Sequence, residues 1–411
     1  MKSRLIAALL SCCLMPLVSA AADPPAARPF NARIDAVIDR ALSNHRLVGV
    51  IVLVARDGKL IYQRAAGFAD RESLRPVQAD TLFRLASVSK PIVEASALAL
   101  VDRGRLSLDD PLTRWLPQFR PKLRAGAAPT ITIRQLLNHT SGLGYGYSES
   151  PGGAYHRAGI SDGLDMPGLS MSENLHRLAS VPLLSAPGTA WHDSLSTDVL
   201  GAVIEKVTHE PLRAAVRELV TGPLSMSDTD FRARDVTRLA TPYVNRDPAP
   251  APARMVDPQT VAYPPDVSLG STAGLTFSPA RALDSRSYSS GGAGLIGSAS
   301  DVLTFLETIR QGGGRMLSPA SARAMMVDQI GSLPGVPYGR GWEFGLGGAV
   351  LVDPEAAHSP QGIGTWRWGG EYGAVWFVDP TRNITLVSLS NTMPAGVRSP
   401  YVDELIDAVY D

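Results

Sequence analysis

Cysteine is missing from all but the first thirteen residues. Cys12 and Cys13 are the only two in the 411-residue chain, and both lie in an apolar run from Leu5 to Val18 that follows Lys2 and Arg4. A charged start, a short apolar stretch and the small-residue "VSA" at Val18–Ala20 read as a secretory leader cut near Ala20. The run is short for a bilayer-spanning helix. "LLSC" hints at a lipid-attachment box, but the apolar run continues past the cysteine, which argues against it. With the leader removed the protein would carry no thiol, no disulfide and no cysteine metal site. The expected location is periplasmic or secreted.

Net charge is missing too. Basic and acidic residues balance at 39 each, with no basic run. This argues against nucleic acid and against a charged membrane patch. The apolar content, 45%, is that of a folded globular protein. Metal-binding and phosphate-binding signatures are absent. The histidines at 45, 139, 156, 176, 192, 209 and 358 show no metal-binding spacing. The glycine clusters Gly291–Gly297 and Gly312–Gly314 lack the Lys-Ser/Thr pair of a phosphate loop. No metal, no cofactor and no membrane span after leader removal are expected. The partner expected is a small molecule.

Lysine is scarce. Lys2, Lys59, Lys90, Lys122 and Lys206 stand against a large excess of arginine. Arginine cannot usefully give up its proton, so Lys90 in "ASVSKP" draws notice. Pro91 cannot sit deep inside a helix, which puts the helix start close to Ser87. Lys90 then lies one turn on, on the same face. A serine hydroxyl is a poor nucleophile until a base takes its proton. Lysine can be that base if burial or neighbouring cations depress its pKa, and a helix N-terminus favours negative charge nearby. S-x-x-K alone is a weak signal.

Elsewhere the chain alternates in kind. "ARIDAVIDRALSNHR" has helical spacing. "VGVIVLVA" and "LIYQRAA", joined by "RDGK", read as a hairpin. "YGAVWFVD" and "ITLVSLS", joined by "PTRN", read as another, before a last amphipathic helix through Val402, Leu405, Ile406 and Val409. The middle is helical in pattern. From about Asn245 to Pro279 a Pro-, Ala- and Ser-rich stretch reads as a long loop, of the kind that covers sites. One mixed sheet built from both termini, with a helical region inserted, fits this order.

"FRLASVSKPIVEASALALVDRGRLSLDDPLTRWLPQF" (Phe83–Phe119) and "ITIRQLLNHTSGL" (Ile131–Leu143) resemble the class C β-lactamase and serine-esterase superfamily, which includes penicillin-binding peptidases and short-chain carboxylesterases. The resemblance continues through "PLLSAPGTAWHDSLSTDVLGAVIEKV", "GPLSMSDTDF", "SGGAGLIGSASDVLTFL" and "GTWRWGGEYGAVWFVDP", over nearly the whole chain after the leader. It implies an α/β, serine β-lactamase/penicillin-binding-protein-like fold. Its mixed antiparallel sheet comes from both termini, is flanked by helices, and carries an inserted helical region. The expected division is a leader 1–20, a spacer 21–30 and a hydrolase domain 31–411. Within that domain the α/β part covers about 31–85 and 286–411, and the helical part about 86–285.

The resemblance further implies Ser87 as the acylated nucleophile and Lys90 as its proton partner. "WGG" at Trp368–Gly370 resembles the third motif of esterase-like members. The amides of Ser87 and Glu371 would then form the oxyanion hole, with Trp368, Gly369, Gly370 and Tyr145 expected at the substrate. The lysine that β-lactamases carry in this motif is absent, which argues against penicillins and cephalosporins. His139 and Ser141 in "NHTSGL" read as structural.

One position departs. The family's second motif begins with a tyrosine, and "WHDSLSTDVLG" places Asp193 there, with Leu195 where an asparagine is usual. A carboxylate has a reference pKa of about 4, against about 10 for a phenol. An ionised Asp193 would hold Lys90 as an ammonium, so a weakened enzyme is expected, and Asp193→Tyr should raise turnover. Three substitutes offer themselves: a phenol from Tyr145 or Tyr147, a proton shuttle at His192, or Asp193 itself as base. The expected activity is hydrolysis of small esters through an acyl-enzyme. The alternatives are a β-lactamase or D-amino-acid peptidase, or a catalytically impaired binding protein.

Overall fold

The structure is a computed structural model that describes residues 29–245, 251–262, 274–398 and 400–410. The expected leader and all but the last two residues of the spacer lie outside the described residues. Among the described residues no helix is long and apolar enough to cross a membrane.

The described residues open with helix α1 (Phe30–Ser43) and the strands β1 (Gly49–Arg56), β2 (Lys59–Asp70) and β3 (Arg75–Pro76). Asp57 and Gly58 both take positive φ, 53° and 77°. This is what a tight turn between right-twisted strands requires, and Asp-Gly adopts it at low cost. The other five strands of the same sheet come from the far end. They are β4 (Trp342–Phe344), β5 (Ala349–Leu351), β6 (Trp366–Gly370), β7 (Ala374–Asp379) and β8 (Ile384–Ser390). The spatial order is β4-β5-β6-β7-β8-β1-β2-β3. Every neighbouring pair is antiparallel.

β1 reads as a continuous apolar run because both faces of the sheet are covered. Val50, Val52 and Val54 pack with Ile34, Val37 and Ile38 of α1 and with Leu405 and Val409 of the C-terminal helix Tyr401–Tyr410. Ile51 and Leu53 point the other way, into the larger core shared with the middle of the chain. A one-residue slip would exchange the two sets, so this pattern fixes the register with β8, where Ile51 faces Leu389.

The middle supplies helices α2 (Ser89–Asp102), α3 (Ile133–Leu137) and α4 (Ser196–Thr208), among others. The stretch expected to be a long structureless loop is partly paired. Ala253–Arg254 joins Tyr243–Val244, and Gln259–Val261 pairs with Leu275–Phe277. β-branched and aromatic residues at Val261 and Phe277 explain this, since both are buried there. Residues 246–250 and 263–273 of that stretch lie outside the described residues.

Candidate active site

Ser87 sits in a single turn, Ala86–Val88, that runs directly into α2. Pro91 falls within the first turn of α2, where its missing N–H removes no helical bond. Ala86, immediately before the serine, has φ 44°, a region that residues with a side chain seldom adopt. Packing on both sides holds it. The Leu85 amide donates to the Leu295 carbonyl at 2.9 Å. Gly370, the last residue of β6, lies so close that a Cβ there would sit 2.1 Å from the Leu85 carbonyl oxygen. Glycine is required at this approach, and it brings the strand end that carries Glu371 beside Ser87.

Lys90 is fully buried. Its Nζ donates to Ser87 Oγ at 2.7 Å and lies 3.5 Å from the Gly292 carbonyl. The Tyr145 ring covers it, with the nitrogen 5.1 Å from the ring centre. Asp193 Oδ1 faces it at 3.4 Å. The aspartate thus does pair with the lysine. Its second oxygen, Oδ2, accepts a 2.7 Å hydrogen bond from the Tyr147 hydroxyl.

Two backbone bonds create this meeting. After α3 the chain turns at His139, and the His192 amide donates to the His139 carbonyl at 3.0 Å. The Leu195 amide donates to the Gly144 carbonyl at 3.2 Å. The segment before α4 is thereby laid along the Tyr145–Tyr147 turn. Asp162 fastens that turn from behind, because the amides of Gly146 and Tyr147 donate to its two oxygens at 2.7 and 3.0 Å.

Burial dominates the electrostatics here. It pushes both phenols, Tyr145 and Tyr147, well above the ordinary range, and the Asp193 charge adds to the effect. Burial also raises the carboxyls of Asp198 and Glu94. Asp162 is pushed up to about 7 by burial and by neighbouring Asp165, against the pull of the two amides. The sign of its effect on stability follows. The folded carboxyl keeps its proton up to about pH 7, whereas the unfolded one loses it near its ordinary value of about 4. Raising the pH across that window therefore favours unfolding. The stability advantage of wild type over Asp162→Asn should fall between about pH 4 and 7, by up to about 1.4 kcal/mol per pH unit, then level off. Urea unfolding at a series of pH values checks this, and a flat difference would refute it.

A cleft of about 730 Å³ opens over Ser87. Leu184, Trp191, Val336, Pro337 and Trp368 make its apolar wall, and Tyr147, His192, Asp193 and Glu371 its polar one. Trp368 is both packed and part of the wall. Its ring meets those of Trp191, Phe344 and Tyr338 with centroids 6.1, 5.3 and 6.1 Å away. Gly369 lines the cleft too. Gly370 packs against Leu85. Tyr145 lies over Lys90 with its ring stacked on that of Tyr147, centroids 4.8 Å apart, and of the two tyrosines Tyr147 lines the cleft. His192 is at the rim with Nε2 on Ser185 Oγ, 3.0 Å away, and burial lowers its pKa.

The residues read as structural sit within bonds. His139 is buried against Ser194 Oγ at 3.1 Å, and Ser141 Oγ meets Ser196 Oγ at 2.8 Å. Sequence reasoning missed Glu94, one turn beyond Lys90, which accepts from Thr197 Oγ1 at 3.0 Å and lies 3.6 Å from His139 Nε2. A lone acid in the apolar run "PIVEASALAL" was the signal available. It also missed Arg398, which pairs with Glu371 at 2.9 Å on the cleft wall.

Comparison with known proteins gives the family. The Beta-lactamase family profile matches residues 34–411. Esterase EstB of Burkholderia gladioli is 49% identical over 398 residues, covering 96% of this chain and all of that protein. Protein Rv1367c of Mycobacterium tuberculosis is 33% identical over 381 residues, covering 85% and 86%. Among solved structures, EstCE1, described as a hydrolase with promiscuous acyltransferase activity, superposes with a TM-score of 0.89. It shares 43% identity, with 92% of this chain and 98% of that one covered. The chain belongs to the Beta-lactamase family.

Proposed function

We propose that the protein is a serine hydrolase that cleaves small carboxylic esters through an acyl-enzyme on Ser87. The observation that carries this is the 2.7 Å bond between the hydroxyl of the partly buried Ser87 and the buried Lys90 amine, at the floor of a largely apolar cleft. Lys90 takes the hydroxyl proton as Ser87 attacks the ester carbonyl. The amides of Ser87 and Glu371 receive the developing oxyanion. Water then releases the acid. The names of EstB, an esterase, and EstCE1, a hydrolase, support the reaction class.

The cleft favours a neutral ester over a β-lactam. Arg398 is the cation on its wall, and its charge is answered by Glu371. The purified protein should therefore turn over p-nitrophenyl butyrate at least about 10²-fold faster, in kcat/KM, than nitrocefin or a D-Ala-D-Ala peptide, about 3 kcal/mol of discrimination. The reverse ranking would favour the β-lactamase or peptidase reading. The basic start and apolar run before Ala20 support export to the periplasm or beyond. Cell fractionation with N-terminal sequencing of the product checks that part.

A further inference from the structure

Four side chains line up in a polar path, with hydrogen bonds at its two ends and an ion pair at its middle. Ser87 Oγ lies 2.7 Å from Lys90 Nζ, Lys90 Nζ lies 3.4 Å from Asp193 Oδ1, and Asp193 Oδ2 lies 2.7 Å from Tyr147 Oη. The path starts and ends in the same cleft, because Ser87 and Tyr147 both line it. We propose that Tyr147 is a catalytic residue, the acid that protonates the departing alcohol, supplied through Asp193 with the proton that left Ser87. This rests on the serine-esterase reading above and deepens it.

The geometry selects Tyr147 over its rivals. Tyr145 is buried over the lysine, and its hydroxyl points to the neighbourhood of Gly292 and Asp198, where a Cβ on Gly292 would meet it at 2.9 Å. His192 is turned to Ser185. Asp193 has Lys90 before one oxygen and the Tyr147 hydroxyl on the other. With both of its oxygens facing partners, the carboxyl passes its proton on, and the phenol that lines the cleft beside it meets the alcohol. Tyr147 suits a donor, since burial and the adjacent carboxylate keep its proton in place between turnovers.

The steps balance. Ser87 Oγ gives its proton to Lys90 while Lys90 gives one of its own to Asp193, and a bond forms between Oγ and the ester carbonyl carbon. On collapse, the bond from that carbon to the alkoxide oxygen breaks. The Tyr147 proton goes to the alkoxide, and the Asp193 proton goes to Tyr147. The products are acyl-Ser87 and a neutral alcohol, with lysine, aspartate and tyrosine restored. Deacylation runs the path in reverse. Water, in place of the alcohol, gives its proton to Tyr147 while Tyr147 gives one to Asp193, Asp193 one to Lys90 and Lys90 one to the departing Ser87 Oγ, as the bond from water oxygen to the acyl carbon forms and the Oγ–carbon bond breaks.

Esters with one acyl group and two leaving groups test this. Nitrophenolate departs without a proton, whereas ethoxide needs one. Tyr147→Phe should lower kcat/KM for ethyl butyrate by about 10²-fold or more, and for p-nitrophenyl butyrate by less than about tenfold. Asp193→Asn keeps a hydrogen-bond acceptor for Tyr147 and should show the same split, which guards against a misfolded single variant. Tyr145→Phe should not show it. Equal losses on both esters, or none, would overturn the proposal and leave the esterase reading standing. Wild type and Ser87→Ala hydrolysing at the same rate would remove both. Asp193→Tyr, expected from the sequence to raise turnover, should bring no gain, since it deletes the carboxylate that feeds Tyr147. A tenfold rise would count against the relay.

Discussion

Ser87→Ala should lose at least about 10⁴-fold in p-nitrophenyl butyrate turnover, falling to the background of the cleft alone. Removing the nucleophile of a serine hydrolase costs on the order of 10⁶-fold in kcat where it has been measured, with only binding and oxyanion contacts left. The variant should fold. An alanine fits a position whose backbone is held by Leu85, Leu295 and Gly370 rather than by the hydroxyl. A fluorophosphonate probe should label wild type at Ser87, as peptide mass spectrometry would read, and leave the variant unlabelled. Equal rates in the two proteins would reduce "ASVSKP" to a helix start, and a protein that binds acyl ligands without turnover would become the better account.

Lys90→Met should cost about 10³-fold or more in kcat/KM, within the range for loss of acid–base assistance. Methionine keeps the length and the apolar contact with Tyr145 but cannot accept the Ser87 proton. Lys90→Arg should not rescue activity, because a guanidinium holds its proton and its fork does not fit a site fully closed to solvent. Stability reports the same removal differently. In Lys90→Met the Asp193 carboxylate loses its lysine and keeps the Tyr147 bond, with His139 Nδ1 3.9 Å from its other oxygen, and a charge stripped of its cation at a partly buried position is destabilising. Adding Asp193→Asn should recover the melting temperature without recovering activity. If the double variant stays as unstable as the single one, the Lys90–Asp193 contact is not an ion pair in solution.

Much of this was legible in the sequence, and the reason differs from place to place. The two hairpins declared themselves through alternating or continuous apolar runs around Asp-Gly and Pro-Thr-Arg-Asn, which are local signals. Ser87 and Lys90 were legible because three residues along a helix fix their separation. The tyrosine question was not. Two phenols two residues apart gave no local hint of which would face the cleft. That choice depends on the His139–His192 and Gly144–Leu195 contacts and on Asp162, which sit about 15 to 50 positions away. The sequence accordingly points to Tyr145 for substrate contact, whereas Tyr147 is the one that lines the cleft. Arg398 was illegible for the same reason: its partner, Glu371, is distant along the chain, and nothing in "PAGVRSP" signals a site. The paired ribbons within 245–279 were hidden by a composition that reads as loop.

The order in which the sheet is assembled bears on synthesis. β1 finds its partner β8 only when residue 390 exists, with Val50 facing Ser390 and Arg56 facing Ile384. At about 5–20 residues per second the early hairpin waits on the order of tens of seconds with an open apolar edge. Such distant pairing slows folding and leaves nascent chains exposed to association. The cradle of Ser87 needs Leu295 and Gly370, so the nucleophile reaches its working surroundings among the last parts of the molecule to form. A chain stalled on the ribosome before Gly370 would carry every residue of the Ser87–Lys90–Asp193–Tyr147 path and still be inert.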